Sequence, residues 1–256
     1  MNRFRPLLIP FLLTLVGLAV LISLGRWQLE RREWKLGLIE RIEARAKGDT
    51  ISLSKAKQTW ATDRDVEYYR LALTGRFLHE HERHLYGLVN GEAGWRVLTP
   101  LETQGGDVIF VDRGFVPEQY RDPATRVQGQ VEGEISITAL ARASESGSIF
   151  TPDNQPAANR WFLRDVQALN ASLPDDLAAR AVPFMAEAEP MTVPGGWPRA
   201  GVTRLQLPNR HLEYAITWFG LALTLATVFV FYAWGRLRAS HDSGADANIA
   251  DRSGSV

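Results

Sequence analysis

Two uncharged apolar stretches, residues 7–24 and 214–235, lie near the two ends of this 256-residue chain. At 18 and 22 residues, each can cross a membrane as a helix, because a hydrocarbon layer of about 30 Å is covered at about 1.5 Å per residue. The part from 25 to 210, 186 residues long, is enough for one good-sized domain or two small ones. Mean hydropathy is slightly negative despite the spans, so the intervening part must be polar and water-soluble.

Charge and cysteine content exclude several classes. With 29 basic and 29 acidic residues, the chain lacks the basic excess of a nucleic-acid binder. It has no cysteine, which removes disulfides, thiolate metal sites and cysteine nucleophiles and leaves the compartment open. The first span has the basic start of a secretion signal (Arg3, Arg5), but it is long and no small-x-small cleavage site closes it. It is therefore expected to stay as an anchor. Short tails with Arg3, Arg5, Arg236 and Arg238 favour both ends in the cytoplasm and the large domain outside. Arg26, Arg31, Arg32 and Lys35, on the domain side, weigh the other way.

Helical periodicity continues beyond the first span to about residue 45. Trp27, Arg31, Trp34 and Leu38 share one face, which reads either as an aromatic anchor at headgroup level or as a docking surface for a membrane partner. From Tyr69 the pattern turns to period two. Strands are expected over 69–78, 83–88, 95–101, 108–116 and 131–140, with Asn90-Gly91 and Gly105-Gly106 as hairpin turns and mainly antiparallel pairing. The stretch 145–160 reads as a long loop, 165–173 and 175–180 as short helices, and 181–187 as a further strand. Pro194-Gly195-Gly196-Trp197-Pro198 is a turn before a last strand near 204–207, and the tail beyond Ser240 reads as disordered.

Catalytic signatures such as G-x-S-x-G, G-x-x-x-x-G-K, H-E-x-x-H and a dinucleotide fingerprint are absent. His79, His81 and His84 suggest a metal site, but in a strand His84 would face away from the other two. The commoner reading is solvated residues at a strand end. Asp112-Arg113-Gly114 could clamp a carboxylate or tie a strand end to a loop, and Asp165 is expected to cap a helix under the packed rings of Trp161 and Phe162. The second span starts at Pro208-Asn209, with Asn209 as expected N-cap, Glu213 in the first turn and His211 at the membrane surface. Trp218, seven residues on, lies within about 20° of His211, with Tyr214 and Ala215 between. An imidazole flanked by aromatics suits an axial ligand to haem iron, and equally a stripe packed against the first span.

In order along the chain, Leu24-Gly25-Arg26-Trp27-Gln28 through Arg31 to Trp34-Lys35, Leu98-Thr99-Pro100-Leu101, Val111-Asp112-Arg113-Gly114-Phe115-Val116-Pro117, Asn159-Arg160-Trp161-Phe162-Leu163-Arg164-Asp165, and Asn209-Arg210-His211-Leu212-Glu213-Tyr214-Ala215-Ile216-Thr217-Trp218-Phe219 resemble the Surfeit locus family of cytochrome c oxidase assembly factors. Phe115 stands where the family often has Trp. The resemblance implies an α+β protein with two transmembrane helices flanking a mainly antiparallel β domain with a few short helices. Its parts would be a cytoplasmic tail (1–6), a first helix (7–24), a periplasmic domain (25–210, with a helical extension over about 25–45), a second helix (211–235) and a cytoplasmic tail (236–256) in a bacterial inner membrane. It further implies a non-enzymatic factor that binds haem a and assists its insertion into the oxidase catalytic subunit, with haem a synthase as supplier. His211 carries over as the haem-iron ligand, with Tyr214, Thr217 and Trp218 as neighbours, while Trp27, Gln28, Arg31 and Trp34 form the expected docking face. The competing expectation is a scaffold that stabilises the catalytic subunit without holding a cofactor.

Overall fold

The structure, a computed structural model, describes residues 5–201 and 208–253. The elements in chain order are α1 (Arg5–Lys47), β1 (Ile51–Ser52), α2 (Leu53–Asp63), β2 (Arg70–Phe77), β3 (Arg83–Val89), β4 (Glu92–Thr103), β5 (Val108–Pro117), β6 (Glu134–Arg142), α3 (Val166–Ala171), α4 (Asp175–Ala178), β7 (Met185–Ala188) and α5 (His211–Ser253). They fall into two compact units: Glu40–Gln206, and the segment up to Ile39 together with the segment from Leu207 onward.

The end unit pairs α1 with α5. Each contains a stretch long and apolar enough to cross a membrane, with mean hydropathies of 2.7 and 1.9. Leucines 8, 13 and 223 and valines 16 and 230 are all exposed on these helices, a pattern suited to lipid rather than water. Contacts run in opposite chain directions, from Phe11 against Phe229 (centroids 5.8 Å apart) to Gln28 against His211, so the helices are antiparallel. Small residues allow the approach. Ala215 and Ala222 are buried, and a Cβ on Gly25 would lie 2.7 Å from the Phe219 ring. Gly25→Leu is expected to wedge the pair apart. The chain has no native cysteine, so a Phe11→Cys/Phe229→Cys pair can report this: oxidative cross-linking should drop at least several-fold when Gly25→Leu is added, at a cost of about 1–3 kcal/mol for overpacking.

The second unit is a β-sheet domain. Strand order is β1-β2-β6-β7-β5-β4-β3, and an additional β2–β4 pairing closes the ring β2-β6-β7-β5-β4 into a small barrel. Pairing is antiparallel except for β1–β2 and β5–β7. Closure occurs where Gly75 faces Thr103, and a Cβ there would sit 2.2 Å from the Glu102 carbonyl oxygen. Only glycine permits that approach. Alternate residues Leu71, Leu73 and Phe77, Ile137, Ala139 and Ala141, and Phe184, Ala186 and Ala188 form one apolar cluster, onto which α2 packs Leu53 and Ala56. Leu98, Phe110 and Met185 belong to a second cluster, which is covered by Trp161, α3 and α4. β5 is therefore buried along all ten residues, which accounts for the apolar runs on either side of Asp112-Arg113-Gly114.

Most expected elements are present with shifted ends. β6 begins at Glu134 rather than residue 131, and β7 is only Met185–Ala188, with Ala181 making an isolated bridge to Val108. β1 and α2 are additions to the expected elements. Their signal is Ser52, whose hydroxyl caps α2 by accepting from the Lys55 N–H (3.2 Å), followed by apolar Leu53, Ala56 and Trp60. Asp165 caps α3 as expected, accepting from the Ala168 N–H (3.0 Å). Asn209 differs: α5 starts at His211, so Asn209 lies one residue outside the cap, and its amide donates instead to the Arg32 carbonyl of α1 (3.5 Å). α5 also continues as helix to Ser253, through the tail expected to be irregular. Ala and Asp there, with no proline, do not stop a helix already propagated from the apolar span. The strand expected near 204–207 lies outside the described residues.

Candidate functional site

The foot of α5 brings together residues from both ends of the chain. His211 Nδ1 lies 2.7 Å from Gln28 Oε1. An amide oxygen only accepts, so Nδ1 carries a proton, and in the neutral ring Nε2 then keeps its lone pair. No described residue bonds Nε2. The ring borders a cavity of about 320 Å³ lined by Gln28, Lys35, Pro208, Arg210, His211 and Tyr214. An imidazole with Nδ1–H tied to an acceptor is the orientation in which Nε2 ligates a metal. The donor set thus fits a haem iron, and the phenol, proline ring and aliphatic stems fit a flat macrocycle beside it.

The other residues singled out by the sequence spread around this point. Tyr214 lines the cavity and is half exposed. Thr217 is exposed, and its hydroxyl donates to the Glu213 carbonyl (3.0 Å). Trp218 is partly buried and lies outside the cavity lining. Of the expected docking face, Gln28 turns to α5, whereas Trp27 and Trp34 remain exposed at 53% and 51%. Arg31 stacks on the Trp34 ring at 3.9 Å. The Gln28–His211 pairing is beyond the reach of local pattern. Gln28 is visible in the motif, but its partner is 183 residues away.

The β domain contains charged groups of another kind. The His79–His81 stretch is a single 3-10 turn rather than strand, yet the histidines do not converge. His79 Nε2 pairs with the Val131 carbonyl (2.9 Å), and His84 Nε2 with Glu82 (2.7 Å). Among the described residues no cluster of three or more His, Cys, Asp or Glu side chains is placed to hold a metal ion. Glu82 is buried and also accepts from Arg126. Burial pushes its carboxyl up, but hydrogen bonds from His84 and Arg126 outweigh this and hold it below the usual range. Arg113 is also buried, and donates to the Gly129 carbonyl, so it ties a strand to a loop rather than pairing with Asp112. Burial lowers its pKa to about 10. Asp112 pairs with Arg96, which also holds Glu187, and Glu187 in turn holds Arg142 (2.7 Å). This ion ladder crosses β4, β5, β7 and β6.

Burial, and less strongly the charge of Arg113, hold the His79 pKa below normal. Its contribution to stability is therefore present above the unfolded value of about 6.5 and lost as pH falls through and below it. The urea midpoint of the full chain in detergent should decline as the pH falls below about 6.5. In His79→Gln that part of the decline should be absent, and an identical profile would remove His79 as its source.

The Asn159-Arg160-Trp161 motif has a structural role. Asn159, at φ 48°, accepts from the His84 N–H (3.3 Å) and donates to the Glu82 carbonyl (3.0 Å). Trp161 then pairs with β3 and is fully buried.

A mainly antiparallel β domain joined in sequence to two helices long and apolar enough to cross a membrane defines a class of membrane-anchored proteins. The family match is specific. The chain belongs to the SURF1 family, whose model matches residues 15–223. It is 35% identical over 231 residues to Surfeit locus protein 1 of Xenopus tropicalis, covering 82% of this chain and 71% of that protein. It is 36% identical over 224 residues to a SURF1-like protein of Monosiga brevicollis, 83% of each chain. Against human Surfeit locus protein 1 it is 34% identical over 228 residues, covering 82% of this chain and 72% of that one.

Proposed function

We propose that this protein is a non-enzymatic, membrane-anchored assembly factor for haem-copper cytochrome c oxidase that receives haem a from its synthase, holds it at His211 and passes it to the catalytic subunit. The single observation carrying the cofactor part is the Nδ1 contact from His211 to Gln28 at 2.7 Å, on a ring that borders a cavity. In the neutral ring it leaves Nε2 as the nitrogen that can ligate a metal. The oxidase part rests on family membership and the motifs described above. Bound haem a would supply an iron for Nε2 to ligate; Gln28 holds the imidazole, and Tyr214 and Pro208, which line the cavity, would offer apolar surface to the macrocycle. Arg3 and Arg5 before the first span, and Arg236 and Arg238 after the second, support the topology with the β domain on the outer side.

The test is the absorption spectrum of the detergent-purified chain from cells that make haem a. The expected result is co-purified haem a with an imidazole-ligated spectrum, at a substantial fraction of one per chain. Apoprotein from such cells, which also fails to bind added haem a, would defeat the cofactor reading. In that case the exposed Trp27, Arg31 and Trp34 face favours the second reading, a scaffold for the catalytic subunit. Loss of co-purified subunit on Trp27→Ala, with oxidase haem content unchanged, would support it.

A further inference from the structure

The cavity beside His211 has a charge pattern that iron ligation does not explain. Its lining includes Lys35 and Arg210 and no acidic residue. Among the described residues neither cation lies within salt-bridge distance of a carboxylate, although the β domain pairs its arginines repeatedly. Lys35 is seven residues beyond Gln28 on α1, within about 20° of the same face and about 10.5 Å along the axis. It thus lies on the polar side of Gln28, away from the uncharged span. Arg210 directly precedes α5, where the free N–H groups of the first turn add positive potential. The cavity therefore has a cationic end, an imidazole with an open lone pair, and an apolar helix pair beyond it.

We propose that Lys35 and Arg210 form an oxyanion clamp that takes the two carboxylates of the tetrapyrrole ligated by His211. This rests on the haem reading above and deepens it by fixing which edge of the ligand faces away from the uncharged spans. Arg210 can hold one carboxylate through two parallel N–H donors, and Lys35 supplies a movable point charge. The apolar edge of the macrocycle is then directed towards the spans. A phospholipid headgroup phosphate offers the same oxyanion chemistry to cations at this depth, so the test separates the two sources.

The full chain in uncharged detergent is titrated with haem a and with its dimethyl ester, and the ligation spectrum is recorded. The wild type is expected to bind the free acid about tenfold or more tightly than the ester. Lys35→Gln with Arg210→Gln should bring the acid down to the affinity of the ester while the imidazole-ligated spectrum persists. Lys35→Arg with Arg210→Lys should restore much of the preference. His211→Ala should instead change the spectrum and weaken acid and ester alike. Equal binding of acid and ester by the wild type, or an unchanged preference in the double glutamine variant, overturns the clamp but not the haem site. A double variant that keeps the preference and loses bound phosphatidylglycerol assigns the cations to lipid and also overturns it. No binding of either haem, with or without His211, defeats the underlying reading itself.

Discussion

His211→Ala is expected to abolish the imidazole-ligated haem a spectrum and to lower retained haem at least tenfold, while the β domain melts as in the wild type. His211 is partly buried and bonds only Gln28 among described side chains, so its loss leaves a solvated cavity rather than a buried charge. Gln28→Leu should act through the ligand. Without an acceptor at Nδ1, the imidazole can rotate or place its proton on Nε2, and affinity should fall about 10- to 100-fold with an altered spectrum. Gln28→Glu restores an acceptor and should recover much of the binding. Equal haem content in wild type and His211→Ala would remove this residue from the mechanism.

The second large effect is on folding. Gly114→Val is expected to cost more than about 4 kcal/mol and to leave little folded β domain. Gly114 has φ +116°, and a Cβ there would lie 1.9 Å from the Arg199 carbonyl oxygen and 2.5 Å from the Ala200 nitrogen. Both are backbone atoms, fixed because Phe115 and Arg199 exchange two hydrogen bonds of 2.9 Å. Relief would require breaking that pairing and the Asp112 contact to the Gly114 N–H (2.9 Å), in the strand buried on both faces. Circular dichroism and limited proteolysis of the full chain in detergent provide the measurement. A variant with wild-type protease resistance would show that the backbone here can move. The Asp112-Arg113-Gly114 motif is thus accounted for by architecture, with an ion pair to Arg96, a tie to Gly129 and a close backbone crossing.

Much of the fold is legible in the chain because its signals are local. The hairpin at Asn90-Gly91 has φ of 53° and 85°, the left-handed pair that such a dipeptide supports, and the strands on either side show their alternation directly. Asp165 as a cap follows from the same short-range reasoning. The histidine cluster misleads in the other direction. Its spacing suggests a metal site, but Glu82 and Val131 engage two of the rings separately. α2 has only a brief local signal, the Ser52 cap and three apolar positions, and the residues it packs with, Phe184 among them, come from distant parts of the chain.

The sequence by itself determined the two spans, the β character between them, the family, and His211 as the residue to question. These depend on apolar run length, periodicity and motif order, all readable within a few turns or strands of chain. Tertiary structure alone decided that β2 meets β4 to close the barrel, that Arg96 and Arg142 share Glu187, and that Gln28 meets His211. Each is a contact between residues whose local patterns carry no record of the other. What brings Gln28 to His211 is the packing of Gly25, Ala215 and Ala222 along the helix seam, which sets how closely and at what register the two ends of the chain pair.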